Sequence, residues 1–345
     1  MFSSHTSIDT AFKQQRLKAW QPILTPKTVL PTFFIIGILF APIGGLLIWG
    51  SSLVTEITLD YTNCQNLTPS PSNGSLTFQN MPSNSYDYRL RSSDQHALIN
   101  TPRYAFLNNS GNATVTDPSM ELQCVMEFDI PTNITPTVLL YYKLTNFYQN
   151  HRRYVQSYDA NQLKGQDRSA STLDGSNCKP LGSIDGKPIY PCGLIANSIF
   201  NGMYTFNPVS AHVFTLPLDT FSDPVLQNPS GNANSSVQTY TFSSTGIAWP
   251  GEAKKYVSSP IAPTGGYQNL SGIVPPPNWA KRFPNNYTEN NPPPDLRTDE
   301  RFQNWMRTAG LPTFTKLWGR NDNQTMQQGT YRIIIGLSAL YPVIL

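Results

Sequence analysis

Between Lys27 and Glu56 the chain carries no charged residue. Inside that gap, "VLPTFFIIGILFAPIGGLLIW" runs 21 residues from Val29 to Trp49. As a helix it rises roughly 30 Å, the thickness of a bilayer's hydrocarbon core. Pro31 and Pro42 weaken a helix in water but are tolerated in membrane helices. Gly44 and Gly45 leave a flat patch where a second helix could approach closely. Lys13, Arg16, Lys18 and Lys27 precede the span with Asp9 as the only acid, and Glu56 and Asp60 are the first charges after it. The positive-inside rule therefore predicts a cytoplasmic tail over residues 1–28, a transmembrane helix over 29–49 and a lumenal or extracellular region over 50–345. Gly50, Ser51 and Ser52 are small, as at a signal-peptide cleavage site, but such peptides carry a shorter apolar core of about 7–15 residues. An uncleaved anchor is the expectation.

Composition fits a region outside the cytoplasm. Charged residues make up 13% of the chain, against about a quarter in an average soluble domain. In their place stand 30 Pro, 22 Gly and many Asn and Ser, which suit strands joined by polar loops. The net charge of +3 is too small for a nucleic-acid footprint. Sequons of the form Asn-X-Ser/Thr occur at Asn66, Asn73, Asn108, Asn112, Asn133, Asn234, Asn269, Asn286 and Asn323, all beyond the span. All four cysteines, Cys64, Cys124, Cys178 and Cys192, lie on the same side. An even count there reads as two disulfides with three connectivities, of which sequential pairing is the expected one. A Cys178–Cys192 bridge would contribute roughly 3 kcal/mol through its short loop. No CxxC or His-containing spacing favours metal.

"ITLDYTNC" and "MELQCVMEFDI" alternate as strands do, and residues 65–118 between them, rich in Ser, Asn and Pro, read as a surface excursion. "TVLLYYKLTNFYQ" and "RRYVQSY" read as strands or short helical turns. "GMYTFN", "HVFTLPL" and "SVQTYTFSS" are short β-favouring runs. "TDERFQNWMRTAG" predicts a helix with Thr298 as N-cap, Gly310 as terminator, and Phe302, Trp305 and Met306 on one face. The fold class is mainly β: an N-terminal transmembrane helix, then an antiparallel, β-sandwich-like glycosylated ectodomain with a few short helices.

No GxSxG elbow, HExxH pair, phosphate-binding glycine loop or dinucleotide fingerprint is present. Of His5, His96, His151 and His212, His151 sits in "NFYQNHRRYVQSYDANQL", residues 146–163. There a structural imidazole is expected, with Arg152 and Arg153 stacked on Tyr148, Tyr154 or Tyr158 or paired with Asp159. Such a run fixes a surface suited to docking. A single-span lumenal glycosyltransferase is the enzymatic alternative, but no Asp-X-Asp occurs. A lectin-like cargo receptor is a third reading.

Six blocks carry a resemblance: "FKQQRLKAWQPILTPKTVLPTFFIIG", "YYKLTNFYQNHRRYVQSYDANQLKG", "PCGLIANSIFN", "GIAWPGE", "PPPNW" and "WMRTAGLPTFTKLWGR". In this order they resemble the cell-division-control-protein-50 / ligand-effect-modulator family, accessory β-subunits of P4-type ATPase phospholipid flippases. The resemblance implies a non-catalytic chain without cofactor or metal. Its implied partners are a P4-type ATPase catalytic subunit and membrane phospholipids, with no nucleic acid. It also implies a role in folding, endoplasmic reticulum exit and the transport cycle of that subunit, along the secretory pathway to Golgi, endosome and plasma membrane. The phosphorylation motif Asp-Lys-Thr-Gly of the pump is absent. Arg152, Arg153, Tyr154 and Asp159 are the expected ectodomain docking or integrity residues, with Trp249 and Trp279 as rigid anchors. Lys13, Gln14, Arg16 and Trp20 are the expected cytoplasmic contacts. The family has two spans. Here "GTYRIIIGLSALYPVIL" stops at Leu345, where a linker and second helix would follow, so either a truncation or a one-span variant is expected.

Overall fold

The computed structural model describes residues 25–70, 76–110, 121–199, 225–228 and 238–337. "GMYTFN", "HVFTLPL", His5, His212 and the Tyr341-Pro342-Val343 end lie outside them. The chain divides into two compact units: the N-terminal one with its helix, and a β-rich remainder.

Helix α1 (Pro26–Ser51) is 26 residues long and overruns the expected Val29–Trp49 segment at both ends. Pro26 opens it, where a missing N–H costs nothing. Pro31 and Pro42 lie within it, and the Thr32 hydroxyl donates to the Thr28 carbonyl at 2.8 Å just beyond the first of them. No residue of α1 is buried, although its mean hydropathy is 2.2. An apolar cylinder left bare by its own chain needs lipid or another protein around it. Among the described residues it is the one helix long and apolar enough to cross a membrane. Positions 44 and 45 meet nothing within 4 Å of where a Cβ would stand.

The β-rich unit is antiparallel. Strands β1 (Glu56–Leu59) and β3 (Tyr86–Arg89) form one ribbon. A six-stranded sheet has the order β10-β9-β12-β5-β4-β2. Its strands are β2 (Gln79–Asn80), β4 (Arg103–Asn108), β5 (Leu122–Ile130), β9 (Val225–Asn228), β10 (Gln238–Thr241) and β12 (Gly329–Gly336). A second ribbon pairs β6 (Val138–Leu144) with β11 (Phe314–Asn321), and a third pairs β7 (Ser183–Ile184) with β8 (Lys187–Pro188). Five short helices lie among them: α2 (Arg152–Val155), α3 (Ala160–Leu163), α4 (Ala170–Asp174), α5 (Leu194–Asn197) and α6 (Glu300–Met306).

Strand β5 is central because β4 and β12 pair with its two edges and one of its faces is wholly apolar. Cys124, Met126, Phe128 and Ile130 point one way, beside Tyr104 and Phe106 of β4 and Tyr331, Ile333 and Ile335 of β12. That face packs on Tyr142 and Trp318 of the β6–β11 ribbon, giving two β layers around the main core. Val125 points the other way, with Ala105, Ile334 and the partly buried Phe78. Residues 65–118 are therefore not a pure surface excursion. Their polar stretches enclose β4, whose alternate side chains fill the core only once β5 is alongside. The disulfides pair Cys64 with Cys124 and Cys178 with Cys192, the first across 60 residues and the second across 14. Loop-closure entropy gives the longer bridge the larger stabilisation, roughly 4 against 3 kcal/mol.

Helix α6 begins one residue later than Thr298 implies. Asp299 is the N-cap, its carboxylate accepting from Phe302 N at 2.9 Å. Burial pushes the Asp299 carboxyl up, against the pull of that bond and of Arg282 and Arg301. Gly310 does not end the helix. Lys316, reaching in from β11, donates to the last-turn carbonyls of Asn304 and Arg307, and Arg307 turns extended.

Glu127 of β5 lies opposite Arg103 on one side and Arg332 on the other, and pairs with both. Phe78 stacks under both guanidinium groups. Burial pushes the Glu127 carboxyl up, but the bonds and charges of the two arginines outweigh it and hold it below its usual value of 4.5. A lowered carboxyl stabilises the fold above its unfolded value, and that contribution is lost as pH falls through the folded one. Urea unfolding of the full chain should therefore weaken progressively below pH 4.5, and Glu127→Gln should flatten that dependence. At pH 7 the variant should lose roughly 1–3 kcal/mol, since the mostly buried Arg332 loses its charged partner while the half-exposed Arg103 can turn to water. An unchanged acid limb would refute the assignment.

Candidate docking surface

Segment 146–163 buries Gln149, Tyr154, Ser157, Gln162 and Leu163 and leaves most of its other residues exposed. Tyr154 is buried, its hydroxyl 2.7 Å from Ser198 Oγ, and Phe147 meets it edge-on. Burial, opposed by bonds to Ser198 and Gln149, pushes the Tyr154 hydroxyl up to about 12, so it stays protonated. Ser157 Oγ accepts from Leu194 N at 2.8 Å. Gly193 is required beside it: its φ is +98°, and a Cβ there would lie 2.1 Å from the Ser157 carbonyl. Gln162 is fully buried, donating to Ile189 O and Tyr267 Oη and accepting from Cys192 N.

Helix α5 is where these ties meet the rest of the chain. Trp305 Nε1 donates to Ile195 O at 2.7 Å, and Trp279 Nε1 donates to Ala196 O at 3.1 Å. Trp279 is 3% exposed, packed on Phe283 and Phe302. It is an anchor for its own core, and a partner could not reach it. Tyr154 is equally internal.

Asp159 does not pair with Arg152 or Arg153. Its carboxylate caps α3 by accepting from Gln162 N at 2.8 Å and pairs with Arg168 at 3.4 Å. Arg168 lies nine residues on, where the chain returns after α3. Arg152 and Arg153 are exposed, and among the described residues neither stacks on a tyrosine nor forms an ion pair. His151 is exposed at the start of α2 and caps nothing with its side chain.

Trp249 stands outside, 61% exposed on a fixed backbone. The amides of Ile247 and Ala248 both donate to Glu300 Oε2, at 2.7 and 2.8 Å, and Arg320 Nη1 holds the Gly246 carbonyl at 2.9 Å. The Arg307 guanidinium lies 3.8 Å over the Trp249 ring. Nearby in the chain, Leu311 is 70% exposed. Its loop is clamped to segment 147–150: Ala309 N donates to Gln149 Oε1, Asn150 Nδ2 to Gly310 O, and Phe147 N to Pro312 O. Tyr148, also exposed, belongs to that clamp. Rigid, exposed aromatic and arginine side chains are what docking surfaces concentrate their affinity on. Sequence alone offers Tyr148 only as a stacking partner for Arg152 and Arg153 and does not single out Arg307 or Leu311; all three lie inside the family-like blocks, which is the available signal.

The six described sequon asparagines, Asn66, Asn108, Asn133, Asn269, Asn286 and Asn323, are all exposed. Asn73, Asn112 and Asn234 lie outside the described residues, as do Lys13, Gln14, Arg16 and Trp20. Among the described residues no three His, Cys, Asp or Glu side chains gather as a metal would need.

The stability roles of interior and exterior tryptophans should separate. Trp305→Phe removes the indole N–H that bonds the Ile195 carbonyl and leaves a smaller ring in the core, and should cost about 1–3 kcal/mol in denaturant unfolding. Trp249→Ala should stay within about 0.5 kcal/mol of the parent. Equal losses would contradict the division.

Residues 47–344 match the model of the LEM3 (ligand-effect modulator 3) / CDC50 family. A phospholipid-transporting ATPase accessory subunit, CDC50, of Chaetomium thermophilum is 38% identical over 331 residues, 95% of this chain and 74% of that protein. The accessory subunit CRF1 of Saccharomyces cerevisiae is 39% identical over 341 residues, 99% of this chain and 74% of its own length. Cell cycle control protein 50A of Bos taurus is 35% identical over 340 residues, covering 97% and 75% respectively.

Proposed function

The chain belongs to the CDC50 / LEM3 family, and from that membership we propose that it is the non-catalytic accessory subunit of a phospholipid-transporting P4-type ATPase. The observation that carries the reading is identity of 38–39% along nearly the whole chain to proteins named as such subunits. The partner is the ATPase catalytic chain, in a heterodimer that moves phospholipid to the cytoplasmic leaflet. The accessory chain supports that subunit's folding, its exit from the endoplasmic reticulum and its transport cycle.

In this reading residues 1–28 are cytoplasmic, α1 crosses the bilayer, and the β-rich unit faces the lumen or the cell exterior. The charge asymmetry around α1 and the two disulfides support that orientation. Lys13, Gln14, Arg16 and Trp20 contact the ATPase on the cytoplasmic side. Arg152, Arg153 and Trp249 contact it on the other, with Tyr154, Asp159 and Trp279 holding the fold that displays them. The sequons carry N-glycans. The complex resides along the route from endoplasmic reticulum to Golgi, endosome and plasma membrane.

An accessory chain changes a pump's cycle only through unequal affinity for its states. Reversing a 1:99 equilibrium takes about 5.5 kcal/mol of such preference, a demand that a few rigid side chains of the Trp249 and Arg307 kind can meet. Purification of the tagged full chain in mild detergent should bring down a P-type ATPase with phospholipid-stimulated turnover. Trp249→Ala should weaken that association by roughly 2 kcal/mol, about thirtyfold. If no ATPase is recovered even after cross-linking, the reading fails.

A further inference from the structure

The β-rich unit contains a groove of about 1140 Å³ whose wall includes Asn269. Asn269 begins one of the sequons, Asn269-Leu270-Ser271. Its Oδ1 accepts from Gly272 N at 2.9 Å and from Ser271 Oγ at 2.8 Å, capping the short turn Leu270–Gly272. Both bonds use the oxygen. The nitrogen, the atom that N-glycosylation derivatises, takes no part in the turn. Attachment of a sugar leaves Oδ1 an amide carbonyl, so the turn survives modification.

The groove's lining suits a hydroxyl-rich ligand. Gln268, Arg282, Glu289, Asn290 and Asp295 line it with polar and charged side chains, which suit hydroxyls better than an apolar surface. Pro292–Pro294 form a stiff edge, whose fixed φ limits the ordering cost of binding. The Tyr287 hydroxyl donates to Tyr190 O at 2.6 Å and pins the lining strand of chain to the core. The other described sequons are placed differently. Asn286 borders a smaller cavity of about 310 Å³, while Asn108 and Asn133 bond Ser110 and Gln328 and line neither cavity.

We propose that the first sugars of an N-glycan on Asn269 lie in this groove, so that the chain's own carbohydrate is a structural part of the region 258–295. The proposal rests on the lumenal placement above, because only there is a sequon modified. Affinity need not be high, since a short tether supplies an effective concentration in the millimolar range.

The test uses the full chain, expressed in a glycosylating host, and two variants that lose the glycan through different atoms. Ser271→Ala loses the hydroxyl bond but keeps the Gly272 N bond to Asn269 Oδ1, and Asn269→Asp keeps a capping oxygen for both. Each should run one glycan lighter on a gel. In both, hydrogen exchange over residues 287–295 should quicken roughly threefold, the factor for a millimolar tethered ligand that binds at about half-millimolar. Thr325→Ala, which removes the Asn323 sequon, should leave those residues unchanged. Loss of a glycan without faster exchange in either variant would overturn the seat and leave the lumenal reading intact. Equal quickening in Thr325→Ala would overturn it too. If Asn269 carries no sugar the proposal also fails, and a wild-type chain with no glycan at all would bring down the lumenal placement as well.

Discussion

The backbone of α5 is the point on which the β-rich unit depends. Two consecutive carbonyls, of Ile195 and Ala196, each receive an indole N–H from distant tryptophans, Trp305 and Trp279. The first residue of the helix gives its amide to Ser157, and Ser198 just past its end meets Tyr154. A buried indole N–H without an acceptor costs about 1–3 kcal/mol, so both tryptophans are bound to this helix by the loss that a missing acceptor would bring. Three family-like blocks are thereby held to one short helix of a fourth. Gly193 belongs to the same constraint, since any side chain there would strike the Ser157 carbonyl.

This interior explains the exterior. Arg307, Leu311 and Tyr148 lie within or beside segments whose backbones are tied down by Gln149, Asn150 and Lys316. Trp249 is displayed by amides bonded to Glu300, from the same α6 that contributes Trp305. A surface so anchored loses little freedom on docking, and rigid surfaces distinguish partner conformations better than pliable ones. Helix α1 makes the complementary case. None of its own residues is buried, and its apolar length needs a bilayer or a companion helix.

Much of this architecture is legible in the amino-acid sequence. The charge-free run announces α1 because no soluble helix exposes such a surface, and β5 shows because Cys124, Met126, Phe128 and Ile130 alternate with Gln123, Glu127 and Asp129. Strand β4 was hidden: "RYAFLN" has polar ends and polar neighbours, and its apolar residues gain meaning only beside β5. The limits of α6 were misjudged for a similar reason. Asp299 and Thr298 are both fair caps locally, and the terminator is a lysine from β11 rather than a nearby glycine. Asp159 found Arg168 because the chain doubles back, which spacing alone does not show. Trp249 and Trp279 look alike in sequence. What separates them is an acceptor carbonyl waiting for one indole N–H and an arginine plane covering the other ring.

The functional account comes down to a preformed surface that favours one state of an ATPase over others. The direct measurement is the affinity of the purified full chain for its catalytic partner, trapped in turn in phosphorylated-like and unphosphorylated forms. The account requires a difference of at least about tenfold, or roughly 1.4 kcal/mol. Equal affinity for every trapped state would contradict it, however tight the binding.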